Sequence, residues 1–267
     1  EFFNSLPIFF QFTKIYPFLV NPIMTLVFIP SLIYVIYILL KKQKYSYLLL
    51  IVCFLLSFLS QAFLFAKWTR YILPTLPFIY LIIAIFLFEI LKHIKKQIYQ
   101  YISILVLIII SFIFSFSYFI TAFVKEDTRI QASLWAKENI SNNSGVVSEV
   151  YDLGIVPFNQ HLPKISLFNF YDLDQTPNKF SELNKPLSES EYIILPSQRI
   201  LKTRLLNKDK FVTGNNFYKN LFNGSLGYKK IYETPCDLLC KIIYLGDPVF
   251  SLEQTANVFD RPTIFIF

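Results

Sequence analysis

The sequence predicts an α-helical membrane protein with four transmembrane helices, followed by a small extracytoplasmic α/β domain. Three observations lead there. Apolar residues make up 54% of the chain, with 30 Phe and 17 Tyr, more than a soluble domain can hide. Those residues are segregated into charge-free runs at positions 23–40, 45–66, 71–88 and 98–124. The remainder, 125–267, alternates helix and strand signals.

Each run holds 18 to 27 residues. A helix of ~20 residues rises ~30 Å and crosses a bilayer's hydrocarbon core. The expected spans are therefore 23–40, 45–66, 71–91 and 98–124. Residues 1–22 are apolar and aromatic but broken by Pro7, Pro17 and Pro22, with Lys14 among them. Proline interrupts a straight helix, so this stretch is expected to be an interfacial segment on the outer face. The chain opens on Glu1, and its one methionine is Met24; the expectation is that the natural protein begins upstream.

Charge sets the orientation. The net charge is +7. Residues 125–267 carry 16 basic and 16 acidic side chains, whereas 1–124 carry nine basic against Glu1 and Glu89. The excess thus flanks the spans, where it meets anionic lipid. It leaves no basic face for nucleic acid. Lys41, Lys42 and Lys44 follow the first span and Lys92, Lys95 and Lys96 the third, against Lys67 and Arg70 between the second and third. The positive-inside rule puts the two Lys-rich loops in the cytoplasm. The loop at 67–70 and the domain 125–267 then lie outside, on a plasma or inner membrane.

Within that domain, 128–140 has helical spacing at Ile130, Leu134 and Ile140, with Asp127 or Thr128 as cap. Strands are expected at 146–150, 242–245 and 263–267, and 192–195 is a short apolar run. Helices are expected near 198–206 and at 217–222, the latter closed by Asn223-Gly224. Together they predict a mixed sheet.

Chemical signals are sparse. Six glycines leave no phosphate-cradling glycine loop. Asp172/Asp174 and Glu189/Glu191 are carboxylate pairs in loop-like sequence and read as solvated charge. Cys236 and Cys240 are four apart, which suits a disulfide outside the cytoplasm or two unlinked thiols. No metal site is expected: His93 sits at a Lys-rich rim, His161 in a loop, and there is no second Cys pair. Cys53 lies inside a span and reads as packing. Ser57, Ser60 and Gln61 bring polar groups to the outer half of the second span, as interhelical hydrogen bonds or as the wall of a polar cavity.

The sharpest local feature is Lys67-Trp68-Thr69-Arg70-Tyr71-Ile72-Leu73-Pro74-Thr75-Leu76-Pro77. It puts Arg70 at the membrane surface, where a helix begins. A guanidinium there offers a forked donor to a phosphate at head-group depth, and a helix N-terminus favours anions. The plain alternative is a snorkelling anchor beside an aromatic belt.

Arg70-Tyr71-Ile72-Leu73-Pro74-x-x-Pro77 resembles the R-Y-x-L-P-x-x-P motif of integral-membrane, lipid-carrier-dependent glycosyltransferases of the C-type fold, relatives of protein mannosyltransferases. The helix Ala132-Ser133-Leu134-Trp135-Ala136-Lys137-Glu138-Asn139-Ile140 is similar to one that follows their last span. Phe217-Tyr218-x-x-Leu221-Phe222-Asn223-Gly224-x-Leu226-Gly227-Tyr228 and the ending Phe259-Asp260-Arg261-Pro262-Thr263-Ile264-Phe265-Ile266-Phe267 resemble segments of their soluble tails. The matches run, in order, over most of 67–267.

The resemblance implies the C-terminal part of an enzyme that moves a sugar from a polyprenyl-phosphate carrier to an acceptor at the outer face. It implies Arg70 and Lys67 at the donor phosphate, and Tyr71, Trp68 and Gln61 along the carrier or sugar. Such enzymes carry their catalytic acid in a first outer loop that has no counterpart here, so the catalytic residue is expected upstream. No cofactor is implied, and the need for a divalent metal, the sugar and the acceptor stay open. Two other classes remain: a sensor or scaffold with an outer ligand-binding domain, and a transporter of lipid-linked glycans.

Overall fold

The computed structural model describes residues 2–41, 43, 45–151, 161–175 and 178–267. Lys42 and Lys44 of the first Lys-rich loop lie outside the described residues.

Among the described residues, three helices are long and apolar enough to cross a membrane: α1 (Pro22–Lys41), α3 (Thr69–Leu91) and α4 (Gln97–Val124). The protein is accordingly a membrane protein by the length and composition of its helices. Between α1 and α3 runs α2 (Ser46–Ala62), apolar but 17 residues long. It ends four residues before the expected limit of 66, where Phe63 and Leu64 turn back on the carbonyls of Leu59 and Gln61. Helix α3 starts two residues earlier than expected, because Trp68 is the extended residue before it. Pro74 sits in a 3-10 turn and Pro77 in the turn that follows. There the missing N–H groups cost least.

Helices α1, α2 and α3 share one apolar core, with Phe28 and Val35, Phe54 and Phe58, and Ile79 and Ile82 fully or nearly buried. Phe2, Phe10, Ile15 and Tyr16 of the N-terminal segment join it. That segment is not a straight helix: a π-helical turn at Gln11–Ile15 leads into Tyr16–Leu19. Gln11 donates from Nε2 to the Ala62 carbonyl, and Tyr16 shares a buried 3.0 Å hydrogen bond with Thr75. Helix α4 stands apart, and only Ser117 and Thr121 along it are buried. Its upper end packs, through Phe114 and Tyr118, on a cluster built from Cys240, Ile243, Tyr244, Leu252 and Ala256.

The second half is an α/β unit with a five-stranded mixed sheet in the order β2-β1-β3-β5-β4. The strands are β1 (Val146–Glu149), β2 (Ile165–Phe168), β3 (Tyr192–Leu195), β4 (Tyr232–Glu233) and β5 (Phe265–Ile266). β1 runs parallel to β2 and β3; β5 is antiparallel to β3 and β4. Alternation gives each face its own core. Ile193, Leu195, Phe265 and Phe267 face one side; Ile194, Ile264 and Ile266 face the other. The first side is covered by α6 (Asn178–Ser188), α7 (Arg199–Leu206) and α8 (Val212–Phe222), through Leu183, Leu201 and Phe217. The second side takes α5 (Thr128–Asn139).

Several expectations are corrected here. Asp127 does cap α5, accepting from the Arg129 N–H at 2.8 Å. Of the three spaced apolar residues, however, only Ile140 joins the sheet-facing core, together with Ala132 and Ala136, while Ile130 and Leu134 stay 43% and 48% exposed. Residues 242–245 are not a strand. They end α9 (Leu238–Ile243), which Asp237 caps by accepting from the Cys240 N–H, and Leu245 and Gly246 close it with positive φ. β2, β4 and α6 had no sequence signal strong enough to name, and α8 begins at Val212 instead of 217. Gly224 closes it with φ +82°, a conformation that suits glycine.

Cys236 and Cys240 are joined in a disulfide, with Cα atoms 5.3 Å apart. Of three cysteines, Cys53 is the free one. Protein unfolded in detergent without reductant should therefore take one maleimide per chain, and three after reduction. Three labels before reduction would show the bond absent.

Candidate functional site

The loop between α2 and α3 meets the α/β unit, and a cleft of ≈ 480 Å³ opens beside it, lined by Gln61, Leu64, Phe65, Ala66 and Tyr71. Two of the expected residues, Gln61 and Tyr71, thus line one space. Arg70 is exposed next to it, with its guanidinium carbon 5.3 Å from the centre of the Tyr71 ring. Among the described residues, no carboxylate pairs with Arg70.

The other two expected residues point elsewhere. Lys67 is buried, and its ammonium donates to Ser5 Oγ at 3.1 Å. Desolvation lowers its pKa from the ordinary lysine value. Trp68 packs inward, its ring edge-on to Phe2 at 5.1 Å. Ser60 bonds back to the Ser57 carbonyl, and Gln61 reaches Ser60 Oγ only at 3.4 Å, so both serve the helix's own polar groups.

The start of α3 holds a partner that the sequence did not announce. Glu253 is fully buried, and its Oε2 accepts from the Thr69 N–H at 3.1 Å and the Thr69 hydroxyl at 2.7 Å. The Thr255 N–H donates to Oε1 at 3.0 Å, and the Thr255 hydroxyl to Oε2. The Glu253 N–H in turn donates to the Lys14 carbonyl, and Lys14 Nζ donates to the carbonyls of Phe250 and Ser251 at 2.9 and 3.0 Å. A carboxylate therefore already occupies the positive end of α3. This corrects one expectation: the helix N-terminus does not add an open anion site to Arg70, and any phosphate contact rests on the guanidinium itself. Glu253 and Thr69 lie 184 positions apart, and no local pattern in either segment signals the contact.

The reading of Asp172/Asp174 and Glu189/Glu191 as solvated charge is corrected for Asp174, whose side chain is 8% exposed. Asp172 accepts from Asn169 Nδ2 at 2.9 Å, while Asp174 forms a buried ion pair with Arg204 at 2.9 Å. Glu191 accepts from the Ser144 hydroxyl, and Glu189 is exposed. His161 is half-buried. Among the described residues, no group of three or more His, Cys, Asp or Glu side chains is placed to hold a metal ion.

Helices of membrane-crossing length joined to a mixed-sheet α/β unit define a membrane protein with an appended α/β domain. Comparison of the chain with protein-family models, with curated proteins and with solved structures finds no match.

Proposed function

We propose that the chain is part of a membrane glycosyltransferase that moves a sugar from a polyprenyl-phosphate carrier to an acceptor at the outer membrane face. The observation that carries this reading is Arg70: an exposed guanidinium with no carboxylate partner among the described residues, at the start of an apolar helix and beside a cleft lined by Gln61 and Tyr71. A cation at head-group depth that is not spent on a protein carboxylate is available to a phosphate. The motif resemblance at 70–77 points to the same role. In this reading Tyr71 and Gln61 border the carrier or sugar. Lys67 and Trp68, both packed inward, support the loop from below. In this reading a carboxylate general base of the kind the resemblance implies deprotonates the acceptor hydroxyl.

The topology that goes with it has four spans. Helix α2, at 17 residues, is at the short end of what crosses a bilayer and serves as the second span. The Lys-rich ends of α1 and α3 face the cytoplasm, and the cleft and the α/β domain face outward. The disulfide supports that side, because thiols in the cytoplasm are kept reduced.

Two experiments test the proposal. The full-length protein in proteoliposomes should transfer sugar from a polyprenyl-phosphate or polyprenyl-diphosphate donor; no transfer from any such donor would end the reading. For the side, Gln43→Cys and Lys208→Cys, both at exposed positions, are made separately in a Cys53→Ser background. An impermeant maleimide on intact cells or spheroplasts should label position 208 and spare 43. The reverse pattern inverts the topology.

A further inference from the structure

We propose that Glu253 is the positioning residue for Arg70: a carboxylate of the α/β domain that caps the first turn of α3 and so holds the guanidinium at the cleft. The proposal rests on the reading of Arg70 as the donor-phosphate contact.

Helix α3 begins without a cap of its own. The residue before it, Trp68, makes no side-chain cap bond, since an indole has no acceptor to give. The first N–H groups of a helix have no partner within the helix. Where Ser, Thr, Asp or Asn would accept from them locally, Glu253 does so from the far end of the chain. It grips Thr69 twice, through the N–H and the hydroxyl.

The grip is rigid at its other end. Glu253 is tied to the Thr255 N–H and hydroxyl, at the start of the turn Gln254–Ala256. Its own N–H is tied to the Lys14 carbonyl. The N-terminal segment, the α2–α3 loop and the α/β domain therefore converge within one residue of Arg70. The turn that presents Arg70 is held by the domain and not by the membrane helices alone. In this arrangement Glu253 need not touch the donor; it acts through the backbone of Thr69.

The test pairs a structural readout with a functional one. Amide exchange of residues 69–72 is followed in detergent for the chain and for Glu253→Ala, Glu253→Gln and Thr69→Val. Loss of a cap should cost Glu253→Ala about five- to thirtyfold in protection there, with residues 79–88 unchanged. Glu253→Gln keeps an oxygen acceptor and should retain most of the protection. Thr69→Val deletes only the hydroxyl bond and should show the same pattern at smaller size, which keeps the test open if Glu253→Ala does not fold. Unchanged protection in Glu253→Ala and Thr69→Val would overturn the proposal. In the full-length protein the donor KM should rise by a comparable factor while kcat moves little. Lost protection with an unchanged donor KM, in a protein that Arg70→Ala impairs, would also overturn it, since the cap would then be structural only. If Arg70→Ala is fully active, the donor reading is what fails, and amide exchange alone decides whether Glu253 holds the turn.

Discussion

Replacing Arg70 by lysine should lower sugar transfer by the full-length protein roughly ten- to a hundredfold. Charge-assisted hydrogen bonds are worth about 1.5–3 kcal/mol, and each ~1.4 kcal/mol is a factor of ten in rate. Lysine keeps the charge and the contact with the Tyr71 ring but loses the planar fork that grips two phosphate oxygens. The structure raises the stakes on that fork. The Thr69 N–H, which could have helped to bind an anion, is already given to Glu253. Arg70→Ala should lower transfer further, with insertion and expression near normal because the side chain is exposed and not buried in the core. A snorkelling anchor needs only a long cationic chain, so full activity of both variants would assign Arg70 to that role.

Asp174→Ala should strongly destabilise the α/β domain. Asp174 and Arg204 are 8% and 4% exposed and form a 2.9 Å ion pair. Arg204 also donates to the Tyr171 carbonyl at 3.0 Å and lies over the Phe211 ring, and Asp174 Oδ1 accepts from the Gly214 N–H at 3.0 Å. Removing one partner of a buried pair leaves an uncompensated charge and costs about 3–5 kcal/mol. For a domain of this size that is roughly 10–20 °C in Tm, to be read from thermal unfolding of the whole chain in detergent. Replacing both partners by apolar residues, as in Asp174→Leu with Arg204→Met, should cost less than Asp174→Ala alone. A shift within ~2 °C for Asp174→Ala would mean that the pair is idle. Crowding makes a neighbouring change informative. A Cβ on Gly214 would stand 2.6 Å from Asp174 Oδ2 and 2.9 Å from Arg204 Cγ, so Gly214→Ala should press the pair apart and destabilise in the same direction.

The sequence by itself determined the division into an apolar helical half and a mixed α/β half. Both are written in local terms. A charge-free run declares a helix that water cannot hold, and the short apolar run Tyr192–Leu195 marks the segment that becomes the buried strand β3. The start of α5 at Asp127, the close of α8 at Gly224 and the place of Arg70 at the head of α3 were legible for the same reason: capping, left-handed turns and helix starts depend on a few adjacent residues.

What only the tertiary structure decided are choices between local options of similar energy. Residues 242–245 read as a strand from their apolar run, yet they close α9, which Asp237 caps and the Cys236–Cys240 bond ties off at its start. Ile130 and Leu134 have the right spacing for a buried face, yet Ala132, Ala136 and Ile140 take it, because the side of a helix that is covered is set by its packing partner and not by the helix. The reach of Glu253 across 184 residues to Thr69 is the clearest case. A carboxylate and a helix start each have many possible partners in sequence, and folding alone brings these two within hydrogen-bond distance.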